Sequence, residues 1–293
     1  RRIPSDAEGS TRMHTNYRES HVGKGSDYHD KFIRGPYRSV VWDIEQEQIL
    51  SILESHRAGT TDPVRLLDFA CGTGRILQLL EPRVDSSVGV DVSKTMLEVA
   101  ESHLTRSELM NVDLTREPAL SDRKFEMITA FRFFPNAEPE LRDDVMRELA
   151  TLLAPGGILI LNNHLRCAGT KMRLRRLLHW LTGGGRRLTG GGRGLTGGGR
   201  AGRKKNRDLH CMSDAEVASL ASRFGLAIRE TQTLAVLPVL KEKRPLLPKS
   251  MLVAIEKWAA NRPFLKGLSN THIYVLGHVE SAGTGPDASP PNR

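Results

Sequence analysis

Runs of apolar residues short enough to be buried strands alternate with longer stretches whose apolar residues recur every three or four positions. The runs of strand length cover residues 64–70, 87–92, 125–131, 157–161, 226–232 and 271–279. Between the third and fourth runs the periodic residues are Leu141, Val145, Met146, Leu149 and Leu153. The pattern therefore predicts strands that alternate with helices.

Local signals mark several helix boundaries. A stripe of apolar residues between 39 and 55 predicts a helix ahead of the first strand, and Pro139 suits the first turn of the helix that follows the third run. The sequence "APGG" at 154–157 is expected to end that helix. Ser213 and Glu216 have the spacing of a capping box, which predicts a helix over 215–224 with Gly225 as its stop.

Alternation of this kind predicts an α/β fold with a mostly parallel sheet and helices on both faces. In such sheets, ligands bind beyond the carboxyl ends of the strands. A hydrophobic content of 39% over 293 residues is sufficient for a sizeable core. Residues 1–27 and 281–293 lack apolar periodicity, and we expect both to be disordered.

The net charge of +9 by itself suggests binding to nucleic acid or a membrane, but the excess of basic residues comes from one segment. Thirteen Lys or Arg and no acidic residue lie within 165–207, so the rest of the chain would be net negative. The three cysteines are far apart and show no C-x-x-C pair, which indicates neither a disulfide framework nor a zinc site. No apolar stretch reaches 18 residues, and the first residues lack the apolar block of a secretory signal, so we expect a cytoplasmic location.

The loop "DFACGTGR" at 68–75 carries the most specific chemistry. A dinucleotide fingerprint, G-x-G-x-x-G, needs a third glycine, and Leu77 stands in that position after Gly72 and Gly74. A nucleoside-bearing cofactor without a pyrophosphate would still need the two glycines and a carboxylate after the second strand for its ribose. Asp91 supplies that carboxylate.

At this point the chain resembles the class I S-adenosylmethionine-dependent methyltransferases, close to the group that includes ubiquinone- and menaquinone-pathway enzymes. The motifs that carry the resemblance are "LLDFACGTGRILQLL", "VGVDVSKTMLEVA", "NVDLTREP", "FEMITAFRFFPN" and "LATLLAPGGILILNNH". It implies a Rossmann-like sheet of seven strands in a domain over 28–280. Two insertions are expected, a basic Gly/Arg-rich one at 165–212 after the fifth strand and a helical one at 239–270 between the last two strands.

The resemblance also implies which residues bind S-adenosylmethionine. Asp68, Ala70, Gly72 and Gly74 would line the methionine and ribose side, Asp91 and Met96 would contact ribose and adenine, Asp113 and Leu114 would contact adenine, and Phe131 would lie at the sulfonium end. Each also has a simpler interpretation: Met96 and Phe131 as core residues, Asp113 as a turn residue, and Asp68 as a residue that orders the loop. No metal site is expected.

Methyl transfer by in-line displacement needs positioning, and it needs a base only if the acceptor must lose a proton. His164, after the fifth strand, is the candidate base, with a solvated loop histidine as the simpler interpretation. Arg132, after the fourth strand, could bind an acidic acceptor. The fourth strand is followed by Phe133-Phe134-Pro135-Asn136 and not by the Asn/Asp-Pro-Pro-aromatic motif used on amide or adenine amino groups, so a small-molecule or lipid-like acceptor is favoured.

Two alternatives stay open, an RNA methyltransferase and a non-catalytic regulatory module that binds the cofactor. RNA is supported only by the basic insertion, whose glycine repeat at 181–200 is most simply a low-complexity linker. Beside the repeat, the cationic and apolar residues of 171–181 suit an interfacial helix. We therefore also expect peripheral contact with an anionic membrane through 165–207.

Overall fold

The computed structural model describes residues 36–164, 211–234, 236, 247–262, 265, 269 and 271–279. Its helices are α1 (Pro36–Ala58), α2 (Arg75–Leu80), α3 (Lys94–Glu101), α4 (Pro139–Leu152), α5 (Asp214–Ser222) and α6 (Lys249–Ala260). Its strands are β1 (Arg65–Phe69), β2 (Ser86–Asp91), β3 (Glu108–Asn111), β4 (Phe125–Ala130), β5 (Leu153–His164), β6 (Leu226–Leu234) and β7 (Thr271–His278). Most of the basic insertion and both chain ends lie outside the described residues.

The strands form one seven-stranded sheet in the order β3-β2-β1-β4-β5-β7-β6. Strands β1 to β5 pair in parallel, whereas β7 pairs antiparallel with both β5 and β6. This confirms the predicted fold class. The chain runs from β1 outward to β3 and then crosses back to β4, so the switch point lies between β1 and β4. Ligands of open α/β sheets bind at this point, beyond the carboxyl ends of the strands.

Apolar side chains cover both faces of the sheet. One buried cluster joins α1, α2 and α6 to the sheet and includes Ile49, Leu77 and Leu252. The other lies under α4 and α5 and includes Met146 and Val217. A sheet buried on both faces explains why its central strands read as almost continuous apolar runs.

Strand β5 is longer than the predicted run at both ends. Leu153, which the helical stripe included, is the first residue of β5 and pairs with Phe125. The register then shifts before Ile158 pairs with Met127, so "APGG" forms an irregular part of the strand. The helix has already ended at Leu152, two residues before the "APGG" that was expected to end it. At the other end the strand extends to His164, because antiparallel pairing with β7 continues to Thr271.

Two other predicted features are present. Ser213 caps α5 with its hydroxyl, which accepts a hydrogen bond from the Glu216 N–H, and the Glu216 carboxylate accepts one from the Ser213 N–H. The expected helix between the last two strands is α6, where Leu252 is buried while Trp258 is 52% exposed. Within the described residues, no helix combines the length and apolar character that crossing a membrane requires.

Candidate functional site

The two glycines of the loop after β1 serve different purposes. Both adopt left-handed backbone, with φ of 57° at Gly72 and 73° at Gly74. A Cβ on Gly74 would lie 2.7 Å from a methyl of Leu104 and 3.0 Å from Ala100, so this glycine lets the start of α2 pack against the α3 region. A Cβ on Gly72 would meet only the Met96 sulfur, at 3.9 Å. Gly72 therefore leaves room above the strand ends for a ligand to approach the backbone.

Close packing of α2 on the sheet depends on Gly89 of β2. A Cβ at Gly89 would fall 2.5 Å from Leu77 Cδ1 and 3.1 Å from the Cys71 sulfur. In a dinucleotide fold the third glycine of the loop permits this close packing of helix and strand. Here the small residue is on the neighbouring strand, and Leu77 fills the space above it. The sequence analysis identified the replacement at Leu77 but not the role of Gly89.

Asp91 ends β2 beside this loop. Its two carboxylate oxygens accept hydrogen bonds from the N–H groups of Gly72 and Ser93, both at 2.8 Å. The side chain is half-buried. Each carboxylate oxygen can accept more than one hydrogen bond. Asp91 can therefore order the glycine loop and accept hydrogen bonds from ligand hydroxyls at the same time.

Asp68 lies beneath the loop and is 1% exposed. Its Oδ1 accepts a hydrogen bond from the Thr129 hydroxyl at 2.7 Å, whereas its Oδ2 is buried without a hydrogen-bond partner. Burial raises the pKa of Asp68 to about 7, although the Thr129 hydrogen bond and the Arg75 charge oppose the rise. A buried carboxylate oxygen without a partner is costly, and a cationic donor would satisfy it.

Two more predicted residues border the loop. Ala70 has a φ of 55°, which is rare for a residue with a Cβ, and it precedes the glycines in a strained turn. Met96 is 3% exposed and lies in α3 with its sulfur facing Gly72. The structure thus brings Asp68, Ala70, Met96 and the glycine loop together at the ends of β1 and β2.

The other predicted cofactor residues have local roles. The Asp113 carboxylate accepts hydrogen bonds from the N–H and hydroxyl of Thr115, as its interpretation as a turn residue requires. Leu114 and Phe131 are 3% and 7% exposed and pack into the two apolar clusters, on opposite faces of the sheet. Contact of these three residues with adenine or the sulfonium stays a prediction.

Arg132 has an ion-pair partner that the sequence analysis missed. Its guanidinium donates to Glu45 of α1 at 2.8 Å, and Glu45 is 1% exposed. Arg75 lies 3.7 Å from the same carboxylate oxygen. The sequence does indicate a buried charge here, because Glu45 lies four residues from both Val41 and Ile49 and therefore falls within the apolar stripe of α1. Whether Arg132 also binds an acceptor stays a prediction.

His164 is the last residue of β5 and not a loop residue. Its Nδ1 and the Thr271 hydroxyl lie 3.0 Å apart in a hydrogen bond, and the ring is half-buried. The neighbouring Asn162 and Asn163 are fully buried; Asn162 accepts from the Arg132 N–H at 2.6 Å. His164 therefore lies in a polar patch near the carboxyl ends of β4 and β5. Across residues 36–164 and the later described ranges, His, Cys, Asp and Glu side chains nowhere gather in threes that could hold a metal ion.

Sequence comparison finds similarity in the central part of the chain. The family model of the methyltransferase domain matches residues 66–157. An uncharacterised protein of Rickettsia prowazekii is 30% identical over 107 residues, and an uncharacterised methyltransferase of Bacillus subtilis is 33% identical over 104 residues. Each match covers 34% of this chain, and 43% and 40% of the respective relative. The chain thus spans less than half the length of these curated relatives.

Structural comparison extends over more of the chain. One similar structure is magnesium protoporphyrin IX methyltransferase from Synechocystis, solved with bound S-adenosylhomocysteine (SAH). The match spans 88% of this chain and 96% of the Synechocystis chain, with a TM-score of 0.54 and 13% sequence identity. Another is an S-adenosylmethionine-dependent methyltransferase from Clostridium acetobutylicum. This match spans 86% of our chain and 96% of the Clostridium chain, with a TM-score of 0.50 and 15% sequence identity. Residues 66–157 therefore match the methyltransferase domain, and the described sheet has the fold of S-adenosylmethionine-dependent methyltransferases of known structure.

Proposed function

We propose that this chain is an S-adenosylmethionine-dependent methyltransferase that acts on a small-molecule or lipid-like acceptor. The observation that carries the proposal is the 2.8 Å hydrogen bond from the Gly72 N–H to the Asp91 carboxylate. It joins the glycine loop after β1 to the acidic end of β2 at the edge where ligands of this fold bind. The match to the methyltransferase domain supports the reaction class.

The residues at this edge fit the cofactor. Gly72 leaves open space above the loop, Asp91 would accept hydrogen bonds from ribose hydroxyls, and the partnerless Oδ2 of Asp68 would accept one from the ammonium of a methionine moiety. When bound, S-adenosylmethionine supplies a methyl group on a positively charged sulfur. The protein contributes position: the loop and the two carboxylates orient the donor relative to an acceptor near the ends of β4 and β5.

The residues after β4 favour a small acceptor over a nucleobase. Phe133 and Phe134 are 3% and 0% exposed, and Phe133 packs edge-on against Phe69 with the ring centroids 5.0 Å apart. Aromatic rings buried in the core in this way offer no face on which a base could stack. The Synechocystis neighbour is a magnesium protoporphyrin IX methyltransferase, and a small-molecule acceptor is compatible with that likeness.

The resemblance to ubiquinone- and menaquinone-pathway enzymes points to a quinone-like or similarly apolar acceptor, and a cytoplasmic location with peripheral membrane contact would suit it. His164 would act as general base because its ring is held by Thr271 near the expected acceptor position. Residues 165–207, which would make the membrane contact, lie outside the described part of the chain.

Titration calorimetry tests the proposal directly. The protein should bind S-adenosylmethionine and SAH but not NAD, because the loop lacks the third glycine. Asp91→Asn should weaken the binding of both adenosyl ligands by about 1–3 kcal/mol, the range for a hydrogen bond to a charged acceptor. The exposed aspartate variant Asp122→Asn is the matched control and should bind like the wild type. Binding of NAD with no response to either adenosyl ligand would refute the cofactor assignment.

The acceptor class needs a second measurement. Transfer of an isotopically labelled methyl group into a cell extract, followed by mass spectrometry, should label small molecules or lipids. Label found only in RNA would replace the proposed acceptor with the RNA alternative. Tight cofactor binding without transfer to any fraction would favour the regulatory module.

A further inference from the structure

A buried carboxylate links helix α1 to the proposed cofactor site. Glu45 is 1% exposed, and its Oε2 lies 2.8 Å from Arg132 Nη2 and 3.7 Å from Arg75 Nη2. Its Oε1 accepts a hydrogen bond from the Asn162 amide at 3.4 Å. Both guanidiniums are mostly buried, with side-chain exposures of 15% at Arg75 and 20% at Arg132. Glu45 therefore places one negative charge beside two positive charges where water screens them little.

The two arginines lie at the strand ends around which the cofactor and the acceptor would bind. Arg75 directly follows Gly74 as the first residue of α2 and stacks on Trp42 of α1, with 3.9 Å between the guanidinium carbon and the ring centroid. Arg132 follows β4 in a left-handed conformation with a φ of 63°, an arrangement that costs energy and is held by Asn162. Glu45 thus connects α1 with the ends of β1, β4 and β5.

We propose that Glu45 is a positioning residue whose buried charge offsets Arg75 and Arg132 and so sets the preference of the site for the cationic methyl donor over its product, whose net charge is zero. The inference rests on the proposed function. At neutral pH S-adenosylmethionine carries a net charge of about +1, because its sulfonium and ammonium exceed its carboxylate by one charge, whereas SAH has the same groups without the sulfonium charge. Loss of the Glu45 charge would remove a counter-ion from beside the two guanidiniums and raise the positive potential at the strand ends.

An electrostatic role and a purely structural role of Glu45 predict different effects on the two affinities when Glu45 is replaced. If Glu45 only held the fold together, its replacement would lower the affinities for both ligands by the same factor. If its charge tunes the site, Glu45→Gln should weaken S-adenosylmethionine about 3- to 10-fold more than SAH, as expected for one unit charge acting over roughly 10 Å of partly buried protein. Glutamine keeps the shape of the side chain, and its amide oxygen can still accept the hydrogen bond from Arg132. Its amide nitrogen cannot accept the one from the Asn162 amide, and the loss of that contact should affect both ligands alike.

The experiment is titration calorimetry of both ligands with the full chain at low and moderate salt. Glu47→Gln is the matched control, because Glu47 lies on the same helix, pairs with Lys257 and is 56% exposed. This control should leave both affinities within about 2-fold of the wild type, as expected for an exposed ion pair. Arg132→Gln removes a positive charge from the same cluster and should shift the ratio of the two affinities the opposite way, toward S-adenosylmethionine.

The ratio of the two affinities decides whether the charge of Glu45 tunes the site. An unchanged ratio in Glu45→Gln, whether both affinities fall or neither does, overturns the inference. If Glu45→Gln does not fold, the ratio in Arg132→Gln decides alone, and a ratio equal to that of the wild type overturns the inference. A wild-type protein that binds neither ligand contradicts the proposed function instead, so the two failures are distinguishable.

Discussion

Replacing Asp68 with asparagine should change how the stability of the ligand-free protein depends on pH. Burial raises the pKa of Asp68 from 3.8 to about 7 in the folded protein. In the unfolded chain the pKa returns to its ordinary value. Between these two values the folded protein holds a proton that the unfolded chain has lost. The free energy of unfolding therefore falls as the pH rises through this window.

The size of the effect follows from the two pKa values. At about 1.36 kcal/mol per pKa unit, the raised pKa of Asp68 destabilises the folded state by about 4 kcal/mol at pH 8 and about 1.5 kcal/mol at pH 5. Asp68 alone should therefore lower the free energy of unfolding by about 2.5 kcal/mol between pH 5 and pH 8. The asparagine of the variant does not ionise, although its amide would be a buried donor in place of the partnerless Oδ2.

Urea denaturation followed by circular dichroism at pH 5 and pH 8 measures the effect. The variant Asp68→Asn should lack the decrease of about 2.5 kcal/mol, whereas the exposed control Asp122→Asn should keep the wild-type dependence on pH. Parallel pH dependences of wild type and Asp68→Asn, within about 0.5 kcal/mol, would show that Asp68 is ionised in the folded protein and that the reasoning from burial is wrong.

Two further predictions concern packing and catalysis. Gly89→Ala should lower the free energy of unfolding by about 1–3 kcal/mol, because the added Cβ would lie 2.5 Å from Leu77 Cδ1; Gly59→Ala, whose Cβ would meet only backbone oxygen at 3.6 Å or more, is the control. Equal urea midpoints for the two variants would contradict the packing argument. His164→Ala should lower the turnover number about 100-fold on the true acceptor while leaving the affinity for S-adenosylmethionine unchanged in calorimetry, and near-normal turnover would exclude a role as general base.

The sequence determined the fold class through local features. The apolar runs place six of the seven strands within a few residues of their observed positions, and the spacing of Ser213 and Glu216 identifies the beginning of α5. The short edge strand β3 has no such run, and only the family resemblance implied it. These features depend on residues close together in the chain, where periodicity and capping act. The proximity of Gly72 and Asp91 was also foreseeable, because Gly72 follows β1 and Asp91 ends the adjacent parallel strand β2, so both lie at the same sheet edge.

Only the tertiary structure decided the features that depend on distant residues. Nothing near Gly89 in the sequence indicates that Leu77 needs the space of its missing side chain. The extension of β5 to His164 follows from pairing with Thr271, which lies far along the chain. Glu45 shows the same limit: its position in an apolar stripe indicates a buried charge, but its partners are set by how α1 packs against the ends of three strands. Periodicity identifies which face of an element is buried, whereas the partners on that face are fixed only when the layers pack.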